Sequence, residues 1–397
     1  MSEVVHTPQL RFPEFSGAWN THSIGKIGTF FSGGTPTSSN KDYYSGTIPF
    51  IGSGKISSES VKQHITQEAL DSSSAKIVNE GDLLYALYGA TSGAVALSKI
   101  NGAINQAVLC IRTNENKFFL KTWLEKNKER ILGTYLQGGQ GNLSAQIVKS
   151  LKLNLPTKPE QQKIAAFLTA VDNKIEQLSK KQELLSEYKK GLMQKIFSQA
   201  IRFKADDGSD FPDWEDGLLN TLIDNSRKIR YGIVQPGKYD KNGKYLIRGK
   251  DYSNGWEIPS EFFKVSDAIE KKYSKTRVKK GDVIVCIVGS VGNVMVIPGW
   301  LDGANITQTT ARIAPDKNKL NNQYLYFYFQ SLVGRNMIHK HTRVGTRPGL
   351  NIEDVEKFSI LLPSLLEQAK IANFLSSIDN KIEQVGKQLD ESKQFKK

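Results

Sequence analysis

The sequence predicts a mixed α/β (α+β) chain in which two globular blocks are joined by a pair of long antiparallel coiled-coil helices, with a pseudo-two-fold repeat. Three observations carry this reading. The stretch FLTAVDNKIEQL at 167–178 returns as FLSSIDNKIEQV at 374–385. Each copy opens a run whose apolar residues recur at alternating steps of four and three. Each is preceded by a block of short apolar runs bounded by Gly, Pro, Asn and Ser, the pattern of short strands in a mixed fold. The resulting boundaries are 1–155 for the first block, 156–199 for a central helix, 200–362 for the second block and 363–397 for a distal helix.

The two blocks match at three places. LRFPEFSGAW (10–19) opens the first and IRFKADDGSDFPDW (201–214) the second. EGDLLYALYGATSGAVALSKINGA (80–103) aligns with KGDVIVCIVGSVGNVMVIPGWLDGA (280–304), each a turn, an apolar strand, a glycine-bearing turn and another strand. Near the block ends, GGQGNLSAQIVKSLKLNLP (138–156) parallels GTRPGLNIEDVEKFSILLP (345–363).

Each block leads into a helix. Between Pro156 and Gln177, 14 of 22 positions are identical to those 207 residues later: P, E, Q, K, I, A, F and L, then the run D-N-K-I-E-Q. TKPE (157–160) and SLLE (364–367) match the S/T-x-x-E capping box, in which Glu160 or Glu367 reaches back to the helix start. The first seam reads Ile164, Leu168, Val171, Ile175, Leu178 and Leu185, interrupted by Gln182 and Lys189. The second reads Ile371, Leu375, Ile378, Ile382, Val385 and Leu389. The first helix should run from about 157 to 198, on the order of 60 Å. A helix that long with one apolar seam needs a partner, and the other copy supplies it.

Composition bounds the function. The 397 residues carry a formal net charge of +14 and a pI of about 9.4. Such an excess favours a polyanionic partner, nucleic acid or an acidic membrane surface. The most apolar stretch, VIVCIVGSVGNVMVIPGW, is too interrupted by Gly and Asn to span a bilayer. No secretion signal opens the chain, and its two cysteines, Cys110 and Cys286, sit in strand-like runs, so reduced thiols and a cytoplasmic location are expected. FIGSGKIS (50–57) lacks the first Gly and the final Ser or Thr of a phosphate loop and reads as strand-turn-strand. No Pro-Pro dipeptide and no strand-following G-x-G-x-x-G occur. His339 and His341 form an isolated H-x-H, read as loop histidines, and no metal site is expected.

Two divergent blocks, each followed by LP…EQ.KIA.FL…D.KIEQ, resemble the specificity (S) subunit of type I restriction–modification systems. The strings that carry the resemblance are FFSGGTPTSSNKDYYSGTIPFI, LYGATSGAV, INQAVLCIR, PEQQKIAAFLTAVDNKIEQL, LLSEYKKGLMQKIF and LEQAKIANFLSSIDNKIEQV. The resemblance implies two target recognition domains, each reading one half of a bipartite double-stranded DNA site. It implies helices that act as spacer and as platform for two modification (adenine methyltransferase) subunits, with restriction/translocase subunits added. No cofactor is expected in this chain; S-adenosylmethionine, ATP and Mg belong to the partners. The second helix has no counterpart of GLMQKIF (191–197).

Within that expectation, DNA contacts are sought where basic, amide, hydroxyl and aromatic residues share turn-like settings. The first block offers Thr35, Thr37, Ser38, Lys41 and Tyr43, with Gln137 and Gln140 near its end. The second offers Arg227, Lys228, Arg230 and Tyr231, with Arg343 and Arg347 near its end. Asp172, Asn173 and Lys174 recur as Asp379, Asn380 and Lys381, which suggests a shared surface for a partner subunit, against the plainer reading of a solvated helix face. Two other readings compete: a self-contained methyltransferase, disfavoured by the missing Pro-Pro and cofactor motifs, and a coiled-coil scaffold without nucleic acid, disfavoured by the charge.

Overall fold

The computed structural model describes residues 8–135, 143–253, 255–343, 345 and 348–396. Contacts divide the chain into two units, residues 1–174 with Lys396 and residues 175–395 with Lys397.

In the first unit, β1 (Asn20–Ser23), β2 (Gly28–Ser32), β3 (Ile48–Ile51), β4 (His64–Ile65), β5 (Lys76–Val78), β6 (Leu83–Ala86), β7 (Val95–Leu97), β8 (Gly102–Ile104), β9 (Val108–Thr113) and β10 (Lys152–Leu155) are interleaved with α1 (Gln67–Asp71), α2 (Lys117–Lys126), α3 (Lys128–Tyr135) and α4 (Ala145–Ser150). An antiparallel sheet runs β2-β9-β6-β7, a mixed one β4-β3-β8-β5, and β1 pairs β10. β6 is buried at all four positions, which is why LLYA reads as an unbroken apolar run. The sheet's two faces feed separate cores. Leu83, Tyr85 and Ile111 pack under α2 and α4, while Leu84, Ala86 and Cys110 face Ile51 and Ile104 of the second sheet. α5 (Lys158–Phe197) begins in this unit.

The second unit repeats the plan. β11 (Glu215–Leu218), β12 (Arg230–Tyr231), β13 (Lys244–Ile247), β14 (Phe263–Val265), β15 (Val283–Cys286), β16 (Val294–Val296), β17 (Asn305–Ile306), β18 (Thr310–Ile313) and β19 (Ser359–Leu362) alternate with α6 (Asp267–Lys272), α7 (Asn322–Gln330), α8 (Leu332–His341) and α9 (Ile352–Glu356), and α10 (Leu365–Lys396) ends the chain. The sheets run β12-β18-β15-β16 and β14-β13-β17, and β11 pairs β19. The parallel contact recurs too: Ile51 lies beside Ile104 and Ile247 beside Ile306.

The long helices take the expected seam. Ile371, Leu375, Ile378, Val385 and Leu389 are buried and Ile382 partly so; Ile164, Leu168, Val171, Ile175, Leu178 and Leu185 are each partly buried. Within the second unit the two helices run antiparallel. Lys189 Nζ lies 2.6 Å from Asp379 Oδ1, and Gln182 faces Gly386, where a Cβ would sit 2.8 Å from its Nε2. The two residues that interrupt the first seam therefore mark its register. The ion pair recurs in the first unit, where Lys396 Nζ is 2.5 Å from Asp172 Oδ1, each residue displaced by 207 from its counterpart.

The capping box is not what the shared glutamate forms. Glu160 and Glu367 are almost completely buried. Glu160 accepts two bonds from Arg11, both 2.7 Å, and one from Trp19 Nε1 at 3.2 Å. Glu367 accepts from Arg202 at 3.2 and 2.8 Å and from Trp214 Nε1 at 3.0 Å. The adjoining glutamines, Gln161 and Gln368, accept from the backbone N–H of Asn116 and Asn321, the N-caps of α2 and α7. A carboxylate out of water needs such full pairing, and a longer reach served it better than the local cap. Only Ser364 caps as expected, accepting from Glu367 N at 3.3 Å. Removing one partner of this cluster should be costly. Glu367→Ala should lose about 3–5 kcal/mol, seen as a lower chemical-denaturation midpoint, with Glu367→Gln losing less; an unchanged midpoint in both would place the anchor elsewhere.

Candidate nucleic-acid interface

In the first unit the hydroxyl-rich loop begins where β2 leaves its sheet. Gly33 passes so close to β8 that a Cβ there would lie 1.7 Å from Ile104 O, so only glycine fits. Beyond it, Thr35 donates to the Gln106 side chain at 2.5 Å, and Tyr44 donates to Pro36 O at 2.7 Å. The loop is thus held at both ends, and Thr35, Thr37, Ser38 and Lys41 are left exposed. Tyr43 is different: it is half-buried against the cluster of Phe50, Ile65 and Ala69 and serves as packing.

The second unit makes the same exit. Gly232 would place a Cβ 1.7 Å from Ile306 O, and its N–H donates to Thr307 O. The loop beyond the glycine differs: GIVQPGKYD here against GGTPTSSNK in the first unit. Beside each exit lies an exposed glutamine, Gln106 in INQ and Gln308 in ITQ. Neither stood out as a candidate in the sequence, although the recurrence of Ile-x-Gln at matched strand ends was there to find.

Of the basic run 227–231, Lys228, Arg230 and Tyr231 line one cavity of about 650 Å³ with Lys272, Tyr273 and Lys275. Arg227 is not among them. Its guanidinium forks onto Asp282 at 2.7 and 2.5 Å, and it is mostly buried. The expectation that Arg227 faces DNA is corrected accordingly: it neutralises a buried acid. In the first unit the matching acid, Asp82, pairs instead with Arg112 at 2.8 Å. Burial pushes the Asp82 carboxyl up, but the Arg112 and Asn79 hydrogen bonds outweigh it and hold the group below its ordinary value.

Arg343 is exposed and lies 3.7 Å from Asp354. With Arg335, His339 and the turn Gly289–Asn293 it lines a second cavity of about 650 Å³. His339 and His341 are not loop residues. They close the last turn of α8, and His341 also bonds Met337 O and meets the Phe358 ring. Gln137, Gln140 and Arg347 lie outside the described residues.

Asp172 and Asp379, expected to face a partner, are engaged by Lys396 and Lys189 of the chain's own helices. Asn173, Lys174, Asn380 and Lys381 remain exposed, and on α5 so do Leu184 and Tyr188, one helical turn apart. Among the described residues no group of three or more His, Cys, Asp or Glu could hold a metal, and no helix is long and apolar enough to cross a membrane. Burial pushes the Cys110 thiol up to about 12 and raises Cys286 as well, the reverse of what a nucleophile requires.

Comparison with known proteins bears on both units. The family model described as type I restriction modification DNA specificity domain matches the chain twice, over residues 17–186 and 223–391. The chain is 27% identical over 412 residues to the type I restriction enzyme MjaVIII specificity subunit of Methanocaldococcus jannaschii, covering 98% of this chain and 92% of that one. It is 26% identical over 312 residues to the type I restriction enzyme EcoBI specificity subunit of Escherichia coli, covering 72% of this chain; the match spans 64% of that relative's length. The crystal structure of the type I restriction-modification system S subunit from M. genitalium shares the fold, with a TM-score of 0.61 at 16% identity over 98% of this chain and 97% of that one.

The two glycine exits yield a paired test. Gly33→Ala and Gly232→Ala should each cost about 1–3 kcal/mol, the usual range for overpacking. Each should loosen the loop of its own unit alone, read by amide hydrogen exchange. Exchange spreading equally through both units would mean that the loops are not independent.

Proposed function

Because the chain belongs to the family of type I restriction modification DNA specificity domains, we propose that it is the sequence-reading subunit of such a system, with each unit reading one half of a bipartite DNA site. One observation carries the reading. The two units keep the same four-stranded antiparallel sheet, the same buried Arg–Glu–Trp cluster and the same glycine exit, yet present different exposed loops beyond that exit. A scaffold held constant under divergent loops is what two half-sites of different sequence require, since base edges are read by particular side chains while the frame only positions them. In this reading Thr35, Thr37, Ser38, Lys41, Lys228, Arg230, Tyr231 and Arg343 are the described residues that face DNA.

The exposed faces of the long helices take modification subunits. Leu184 and Tyr188 offer apolar area there, and Asn173, Lys174, Asn380 and Lys381 offer matched polar contacts. Those subunits bring S-adenosylmethionine and the methyl transfer, and the restriction subunits bring ATP and Mg; this chain brings the address. The cytoplasm, where the DNA is, is the place of action.

Two experiments test this. The chain alone, given S-adenosylmethionine, should methylate no DNA, and methylation should begin when a modification subunit is added; methylation by the chain alone would overturn the division of labour. Exchanging residues 1–155 for the matching block of a relative should change one half-site and leave the other intact, read by sequencing methylated adenines. A chimera that changed both halves would refute the assignment of one half-site to each unit.

A further inference from the structure

β12 and β18 set two arginines directly opposite each other, Arg230 against Arg312. Opposed residues of an antiparallel pair share one face of the sheet, where like charges are destabilising. Arg312 is 2% exposed. Its guanidinium finds no carboxylate and bonds three backbone carbonyls, those of Lys275, Arg277 and Lys228, while its Nε has no hydrogen-bond partner among the described residues. The acid beside it, Asp282, is already taken by Arg227. Burial, and after it the charge of Arg227, depress the Arg312 guanidinium below its ordinary value.

Two of those carbonyls belong to Lys228 and Lys275, whose residues line the cavity of about 650 Å³ in front of Arg230. Four cations, Lys228, Arg230, Lys272 and Lys275, surround that space against one carboxylate, Glu356. None of the four forms an ion pair among the described residues. Arg277 nearby is matched by Glu270 and adds no net charge.

The first unit is built differently at this strand pair. There Thr29 stands opposite Arg112, where the second unit has Arg230 opposite Arg312. Arg112 pairs with Asp82, and its guanidinium also lies over the Phe31 ring. The strand arginine thus has an acid in one unit and only backbone carbonyls in the other. A buried charge without a counter-ion is costly, and the cost persists where an anion repays it.

We infer that the cavity bounded by Lys228, Arg230, Lys272 and Lys275 is a phosphate cradle of the second unit, seating a phosphodiester of the DNA backbone and so positioning this unit without reading sequence. The inference rests on the DNA-reading function proposed above and names Arg230 as a backbone contact.

The test uses the full chain assembled with its modification subunit, as wild type and as Arg230→Thr, the residue type of the first unit. DNA affinity is measured against salt concentration on target and non-target duplexes. Arg230→Thr should weaken both duplexes alike and reduce the slope of log affinity against log salt by about 1. The DNA-free variant should melt at a higher temperature, because the like-charge pair is gone. Opposite signs for affinity and stability are not produced by a merely structural arginine. An unchanged salt slope, or a loss confined to particular bases of one half-site, would overturn the cradle while leaving the DNA-reading function standing. A wild-type complex that bound no DNA would remove that function itself. Millimolar inorganic phosphate supplies the other arm: if it raised the melting temperature of wild type alone while the DNA salt slopes of wild type and variant coincided, the site would belong to a small anion, against the inference.

Discussion

Each unit is organised around a carboxylate that water does not reach. Glu160 and Glu367 sit at the start of the long helices, and each is held by an arginine and an indole from the segment that opens its block. The neighbouring glutamine fastens the N-cap of the block's principal helix. One turn of helix thereby fixes the chain entry, the block core and the direction in which the long helix departs. A buried carboxylate tolerates no loose partner, so the joint is rigid by necessity. That rigidity lets the loops beyond diverge: the frame does not depend on them.

The repeat is written in charge as well as in apolar contacts. Lys189 with Asp379 and Lys396 with Asp172 are one ion pair used twice, and between an antiparallel pair of helices it fixes the stagger that an apolar seam leaves free to slip by a heptad. Surface pairs add little stability; their value here lies in register. The symmetry breaks where function asks for difference. The acid at the strand turn is kept as Asp82 and Asp282, but its arginine comes from β9 in one unit and from the loop before β12 in the other. That switch leaves Arg312 without an acid of its own.

Much of the architecture was legible in the sequence. The step pattern of four and three, the repeated D-N-K-I-E-Q and the paired strand-turn-strand strings gave helices, repeat and blocks, because periodicity and duplication are properties of the chain itself. Gln182 and Lys189, read as breaks in the seam, were breaks in hydrophobicity and in nothing else: both face the other helix. The DNA candidates were legible only as types. A run of Arg and Lys says that cations are present, not which of them already has a counter-ion.

By itself, then, the sequence determined the class of fold, the duplication and the long helices, since each arises from local propensity and from spacing along the chain. Tertiary structure alone decided where the charges go. Glu160 is three residues from Thr157 and 149 from Arg11, and spacing favoured the near partner; the fold buried the carboxylate and gave it the far one. Arg227 lies three residues from Arg230, yet one closes on Asp282 and the other opens onto a cavity. Pairing between buried groups is set by distance through space, and distance along the chain does not report it.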